Sequence, residues 1–454
     1  MYNISMNKLG AFKIAVMVIC GVAALVAFLL FSTYKGTSGS AAVSGTVTVW
    51  GSFRPEEIEP LLNGVRQTYP DLKVYFQNKN ANTIYTDFVS SAATNQSPEV
   101  LIVPISNVLS YAPFISPISK ISLPDRIIGE QFIGAVTPLN TPLGMIGVPV
   151  SINPLLLVAN KEYLQSIFVT NLPGTWSDLA ALTEQLAKSE DTTITQPVIP
   201  LGTVTENHDA YAALISMMMQ AQSKVVISNV GSSSSATTSE ALIQYKSDIE
   251  STSSTLYTSL GSAFEYFSAY SKPGTNVFSW NEELGNPITL FKTKELPMMI
   301  ISYQSLLSNF STDEIKNLTI SLVPLTSNDI MSQPISYADG YVAIIPKLSR
   351  NIPGSYATVF SLISEAVQKE IPVSLKQYPI LSSLSASQKD DYLDELARKS
   401  AVQSLVVPFN GKSNLISLLA KSLTSYTSGK LDKESAIIEF SNAVSAGLSK
   451  LQLK

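Results

Sequence analysis

Apolar residues follow three patterns along this chain, and each predicts a different kind of structure. Over 14–31 the run IAVMVICGVAALVAFLLF contains no charge, Pro or Asn. At 1.5 Å rise per residue it spans most of a bilayer core, and more once 9–12 are added. Further on, short alternating or continuous β-branched runs predict strands: TVTVWG (46–51), LKVYFQ (72–77) and EVLIVP (99–104). Between them apolar residues recur at helical spacing. Ile58, Leu61, Leu62, Val65 and Tyr69 form a stripe that stops at Pro70, and a second helical pattern covers 83–94. Pro60 is expected in or near the first turn of its helix. Strand, helix, strand, helix, strand at this spacing predicts βαβ units and a mainly parallel sheet. The third pattern is polar. GSSSSATTSE (231–240) and STSST (251–255) predict a mobile connection with a short helix between them.

Later segments repeat the α/β theme. MIGVPV and PLLLVAN, around 145–160, predict a crossing pair of strands, and PMMIISY (297–303), TISLVPL (319–325) and YVAIIPK (341–347) predict three more. In Thr175-Trp176-Ser177-Asp178 the threonine is a good N-cap, and the aspartate three residues on completes a capping box. The last helical stripes are split at Ser428-Gly429, where the glycine serves as a stop.

Charge orients the apolar run. Lys8 and Lys13 precede it, which holds the N-terminus in the cytoplasm and puts the rest of the chain outside. The run is longer than the apolar core of a cleaved signal, so a retained anchor over 9–31 is expected, although Ser40, Ala41 and Ala42 would suit a peptidase. Cys20 lies inside the run behind the bulky Ile19, which argues for a membrane-buried thiol over a lipid-modified one. Residues 1–44 hold three Lys and no acid, leaving 27 basic against 35 acidic residues beyond them. Such a balance argues against nucleic acid. With Cys20 the only cysteine and His208 the only histidine, a zinc site, a disulfide and a His-dependent nucleophilic triad are all disfavoured.

VTVWGSF, YPDLKVYF, SPEVLIVP, MIGVPVSINPLLLVANKEYL, GTWSDL, LFKTKELPMMIISYQSL and SGKLDKESAIIEFSNAV, in that order, resemble the maltose-binding-like extracellular solute-binding proteins of ABC importers. The resemblance extends over almost all of the chain beyond residue 44 and rests on the order of the segments. It implies an α/β, two-lobed periplasmic-binding-protein fold of type II-like form with crossing hinge segments, here preceded by one transmembrane helix. The expected division is 1–8 cytoplasmic, 9–31 anchor, 32–44 linker, 45–149 plus 326–375 lobe one, and 150–325 plus 376–454 lobe two.

Ligand is then expected in the interlobe cleft, at the carboxyl ends of strands. The candidates are Trp50, Ser52 and Phe53 after the first strand, Asn107 after the third, Asn153 in the crossover, the aromatics Trp280, Tyr303 and Tyr341, and Asp339 in SYADGY. At Val108 the family often has an aromatic, so this chain departs from the pattern beside Asn107. A pyranose offers an apolar C–H face and a hydroxyl rim, and so needs flat rings with polar groups around them. Glu206, Asn207 and His208 precede a helix, where capping is the expected role. The resulting expectation is a membrane-tethered, monomeric, non-enzymatic binder of a sugar or oligosaccharide. No cofactor and no metal-ligating residue is expected, and its partners are permease subunits. The alternatives are an extracytoplasmic glycosidase, for which no segment offers an obvious carboxylate pair, and a binding fold reused as a surface sensor or scaffold.

Overall fold

A computed structural model of the protein describes residues 43–205, 209–221, 254–326, 336–385 and 392–449. The expected anchor at 9–31, the polar stretch 231–240 and the cluster Glu206, Asn207 and His208 lie outside the described residues. Among those described, no helix is long and apolar enough to cross a membrane.

The first βαβαβ run is present as the periodicity predicts. Strand β1 (Gly45–Gly51) pairs in parallel with β2 (Leu72–Asn78) and with β3 (Val100–Pro104), joined by helices α1 (Pro55–Thr68) and α2 (Ile84–Ala93). Helix α1 buries the predicted stripe Ile58, Leu61, Leu62 and Val65. Pro60 is an interior residue of this helix, and the first turn belongs to Pro55. A proline at the first helical position gives up an N–H that has no partner there in any case. Glu57 reinforces that start by accepting the Arg54 N–H at 2.9 Å.

Beyond Gly134–Leu139 the chain builds the crossing pair. β4 (Val148–Asn153) and β5 (Leu155–Asn160) are separated by Pro154 alone, yet they enter different sheets. Helix α3 (Trp176–Leu186) begins with the expected capping box, the Thr175 hydroxyl accepting from the Asp178 N–H while the Asp178 side chain accepts from the Thr175 N–H. α4 (Ala210–Gln220) is buried along its whole length, as a helix apolar all round must be. α5 (Ser254–Ala269) packs on it. β6 (Met298–Ser302) leads into the short α6 (Tyr303–Asn309), and β7 (Leu318–Ser321) completes a small sheet of order β6-β5-β7, antiparallel throughout.

The large sheet is finished by late residues. β8 (Ser336–Ile344) inserts between β3 and β4, antiparallel to both, and helix α7 (Ile352–Leu362) packs over α1 and β1. β9 (Tyr378–Pro379) adds to the far edge beside β4, so the sheet reads β9-β4-β8-β3-β1-β2. After α8 (Tyr392–Val402), strand β10 (Ser404–Val406) runs parallel to the first residues of β8. Two long helices, α9 (Lys412–Thr427) and α10 (Lys433–Ser449), close the described chain, and they pack on each other and on α5. Gly429 separates them at φ 73°, where its N–H bonds the Tyr426 carbonyl, in keeping with the Ser-Gly break.

β8 serves both halves of the molecule. Ser336–Ala338 pairs with β10, whereas Tyr341–Ile344 pairs with β3, and the register against β4 shifts between Tyr341 and Val342. At this change of allegiance sits Gly340, with φ 157°, where a Cβ would lie 2.1 Å from the Ser151 carbonyl oxygen. No side chain larger than hydrogen fits there.

Candidate functional site

Where the two sheets meet, the carboxyl ends of β3, β4 and β6 converge with the middle of β8 and the first turns of α4, α6 and α9. The cavity between them encloses about 610 Å³ free of protein atoms, counting its open mouth.

Each wall follows from local chemistry. Strand alternation puts Tyr337, Asp339 and Tyr341 on one face of β8, and all three line the cavity. Asp339 is held from two sides: the Ser106 N–H and O–H donate to it at 3.2 and 2.8 Å, and the Gly340 N–H donates at 2.9 Å. Tyr341 stacks at a tilt on Phe53, their ring centres 4.6 Å apart. Asn153, at the end of β4, accepts the Gln304 N–H at 2.9 Å and so fixes the first turn of α6. Gln304 continues the chain of amides by accepting from Gln377 at 3.0 Å. Asp209 precedes α4 but does not cap it; its carboxylate accepts the Ser302 N–H at 2.7 Å. Lys412 begins α9 and holds its ammonium 4.8 Å from the centre of the Tyr211 ring.

Three phenols therefore share the site with two carboxylates and one ammonium. Burial, followed by the negative charges of Asp339 and Asp209, pushes Tyr211 well above the ordinary phenol value. Burial and then Asp339 do the same to Tyr337, and they push Tyr341 up to about 12. All three phenols stay protonated at neutral pH, each an O–H donor with lone pairs to accept.

Of the residues singled out in the sequence, Asn153, Asp339 and Tyr341 line this cavity. Phe53 lies directly behind Tyr341 and is buried. Tyr303 sits between the lining residues Ser302 and Gln304, but its ring is buried and its hydroxyl donates to Asp394 at 3.0 Å. Trp50 is 6% exposed with the Lys79 ammonium 3.8 Å from its ring centre, and neither it nor Ser52 is in the lining. Asn107 has a structural role instead. Its side-chain oxygen accepts the Lys412 N–H at 2.8 Å and so caps α9. Trp280 is 1% exposed in the core, and its backbone N–H bonds the Tyr270 carbonyl at 3.0 Å. Sequence reasoning missed Asp209, Tyr211, Gln304, Tyr337, Gln377 and Lys412. Tyr337 was within reach, since it shares the face of Asp339 and Tyr341 by period two. Nothing in the neighbourhood of Asp209 or Lys412 signals a site.

No known protein-family model matches the chain, and no curated protein matches it in sequence. Its structural neighbours are maltose- and oligosaccharide-binding solute-binding proteins of ABC transporters. The GacH receptor of Streptomyces glaucescens, solved unliganded and with acarbose, aligns at TM-score 0.61 and 18% identity over 90% of this chain and 99% of its own. The cyclic alpha-maltosyl-1,6-maltose binding protein of Arthrobacter globiformis aligns at TM-score 0.63 and 17% identity, over 90% of this chain and 100% of its own. An ABC transporter solute binding protein of Thermotoga lettingae, bound with alpha-D-tagatose, aligns at TM-score 0.58 and 16% identity over 90% of this chain and 100% of its own. The fold is thus the two-lobed, mixed α/β fold of these proteins, as the order of sequence segments implied.

Proposed function

We propose that the chain is the solute-binding component of an ABC importer, tethered outside the cytoplasm by its apolar segment 9–31. It captures a sugar or oligosaccharide in the cavity between its lobes and presents it to permease subunits. The observation that carries this reading is the lining of the cavity. Groups from both sheets converge there, and they are hydroxyls, amides, carboxylates and aromatic rings, the partners that the hydroxyl rim and C–H face of a pyranose require. The binding of sugars by proteins of the same fold supports it. In this reading Asn153, Asp339 and Tyr341 contact ligand together with Tyr211, Tyr337, Gln304 and Lys412, while Phe53 backs the Tyr341 ring. The lobes divide near 149/150, 325/326 and 375/376, with the rest of β4 and β9 still attached to the large sheet.

Calorimetric titration of the full chain with a carbohydrate panel, followed by chromatography of the recovered sugar, tests it. A saccharide that binds and is recovered intact is the expected result; cleaved sugar would instead favour a glycosidase. Membrane fractionation with N-terminal mass spectrometry tests the tether, and a soluble species starting near Val43 would overturn it.

A further inference from the structure

Resting on the sugar-binding reading, we propose that this cavity selects saccharides by charge, admitting neutral and amine-bearing sugars and rejecting sugar acids. Among the described residues that line it, the acidic and basic side chains are Asp209, Asp339 and Lys412. Two negative charges face one positive charge. No ion pair among the described residues joins Lys412 to either carboxylate, and its ammonium rests against the face of Tyr211 at 4.8 Å. Of the donors described, only the Ser302 N–H reaches Asp209, which leaves its second oxygen able to accept from a ligand. Behind the lining, Glu57 is matched by Arg54 at 2.7 Å and adds little net charge.

The walls do not dilute this field. Apart from the three charged groups they are phenols, amides, two serines and small apolar residues, and the same two carboxylates help to raise the phenols of Tyr211 and Tyr337. In a cleft with little water a charge interacts more strongly than at the surface. A hydroxyl on a neutral sugar can donate to Asp209 or accept from Lys412 without meeting repulsion. An ammonium gains from the excess negative charge. A carboxylate meets two like charges with one ammonium to offset them, and it also loses its water.

The test is calorimetric titration of the full chain with neutral di- and trisaccharides of glucose, mannose and galactose. Each is compared with its 2-amino counterpart and its C6-carboxylate counterpart. The carboxylate form is expected to bind at least about tenfold more weakly than its neutral parent, and the amino form at least as tightly as the parent. Asp209→Asn keeps an oxygen for the Ser302 N–H, brings the lining to neutrality and should shrink the penalty on the acid. Lys412→Met should widen it. An acid that binds as tightly as its neutral parent, or a penalty unchanged in Asp209→Asn, overturns the charge selection and leaves sugar binding standing. If no saccharide in the panel binds, the sugar-binding reading falls and the charge selection falls with it.

Discussion

Two aromatic residues separate recognition from folding. Tyr341 lines the cavity with Phe53 behind its ring, whereas Trp280 is enclosed in the core. Removing only the hydroxyl, as in Tyr341→Phe, keeps the packing and deletes one hydrogen bond, worth about 0.5–1.5 kcal/mol. Sugar affinity measured by calorimetry should fall up to about tenfold with the melting temperature unchanged. Trp280→Ala should do the reverse, destabilising by about 3–5 kcal/mol while the folded protein binds normally. The buried phenols also set an alkaline limit. Burial pushes Tyr341 and Tyr270 up to about 12 in the folded protein, against about 10 for a free phenol. Because the folded values are the raised ones, this stabilisation is complete below pH 10 and is lost as pH climbs toward 12. Thermal unfolding followed from pH 8 to 12 should therefore be flat and then fall, and Tyr341→Phe should blunt the fall.

The elements differ in how much of their making is local. The start of α3 is legible in the sequence because Thr175 and Asp178 cap it within four consecutive residues. α9 has no such signal: its first N–H is accepted by Asn107, some three hundred residues earlier, and the Gly411 N–H beside it by the Ser106 carbonyl at 3.1 Å. No local pattern can announce a cap supplied by another part of the chain. The sequence resemblance sets Asn107 at the ligand for the same reason, since position after a strand does not say which neighbour claims the side chain. Periodicity reveals β8 only in its second half, as YVAIIPK. Its first half, SYADG, looks like a turn until β10 is there to pair with it. Asn107→Ala should cost about 1 kcal/mol, the usual value of a helix cap. Hydrogen exchange should accelerate first at 409–412, while α3 exchanges as before.

At the scale of the whole molecule, the βαβ core could be read from periodicity and the two-lobed plan from segment order, because both depend on patterns tens of residues long; the mainly parallel sheet that periodicity predicts is instead mixed, since β8 enters antiparallel to β3 and β4. The composition of the cavity could not, because its walls are drawn from many separate stretches of chain. A cavity bounded by both sheets implies that ligand contacts favour approach of the lobes by their differential affinity for the closed form. Small-angle scattering should show a smaller radius of gyration at saturating sugar, and an unchanged radius would mean a rigid cleft. The position of β8 also governs when the protein can be made. Until residue 336 is available, β3 and β4 have no common neighbour, and β3 presents a fully apolar strand with an open edge. The N-terminal half of the chain thus cannot complete its own sheet as it leaves the ribosome, and folding waits on its distant C-terminal portion. On the proposed reading, in which the chain crosses a membrane unfolded, this delay is an asset: most of the chain can be threaded through before the large sheet has closed to resist it. A fragment ending at residue 335 should accordingly be digested rapidly by protease, and one ending at residue 385 should begin to show a resistant core.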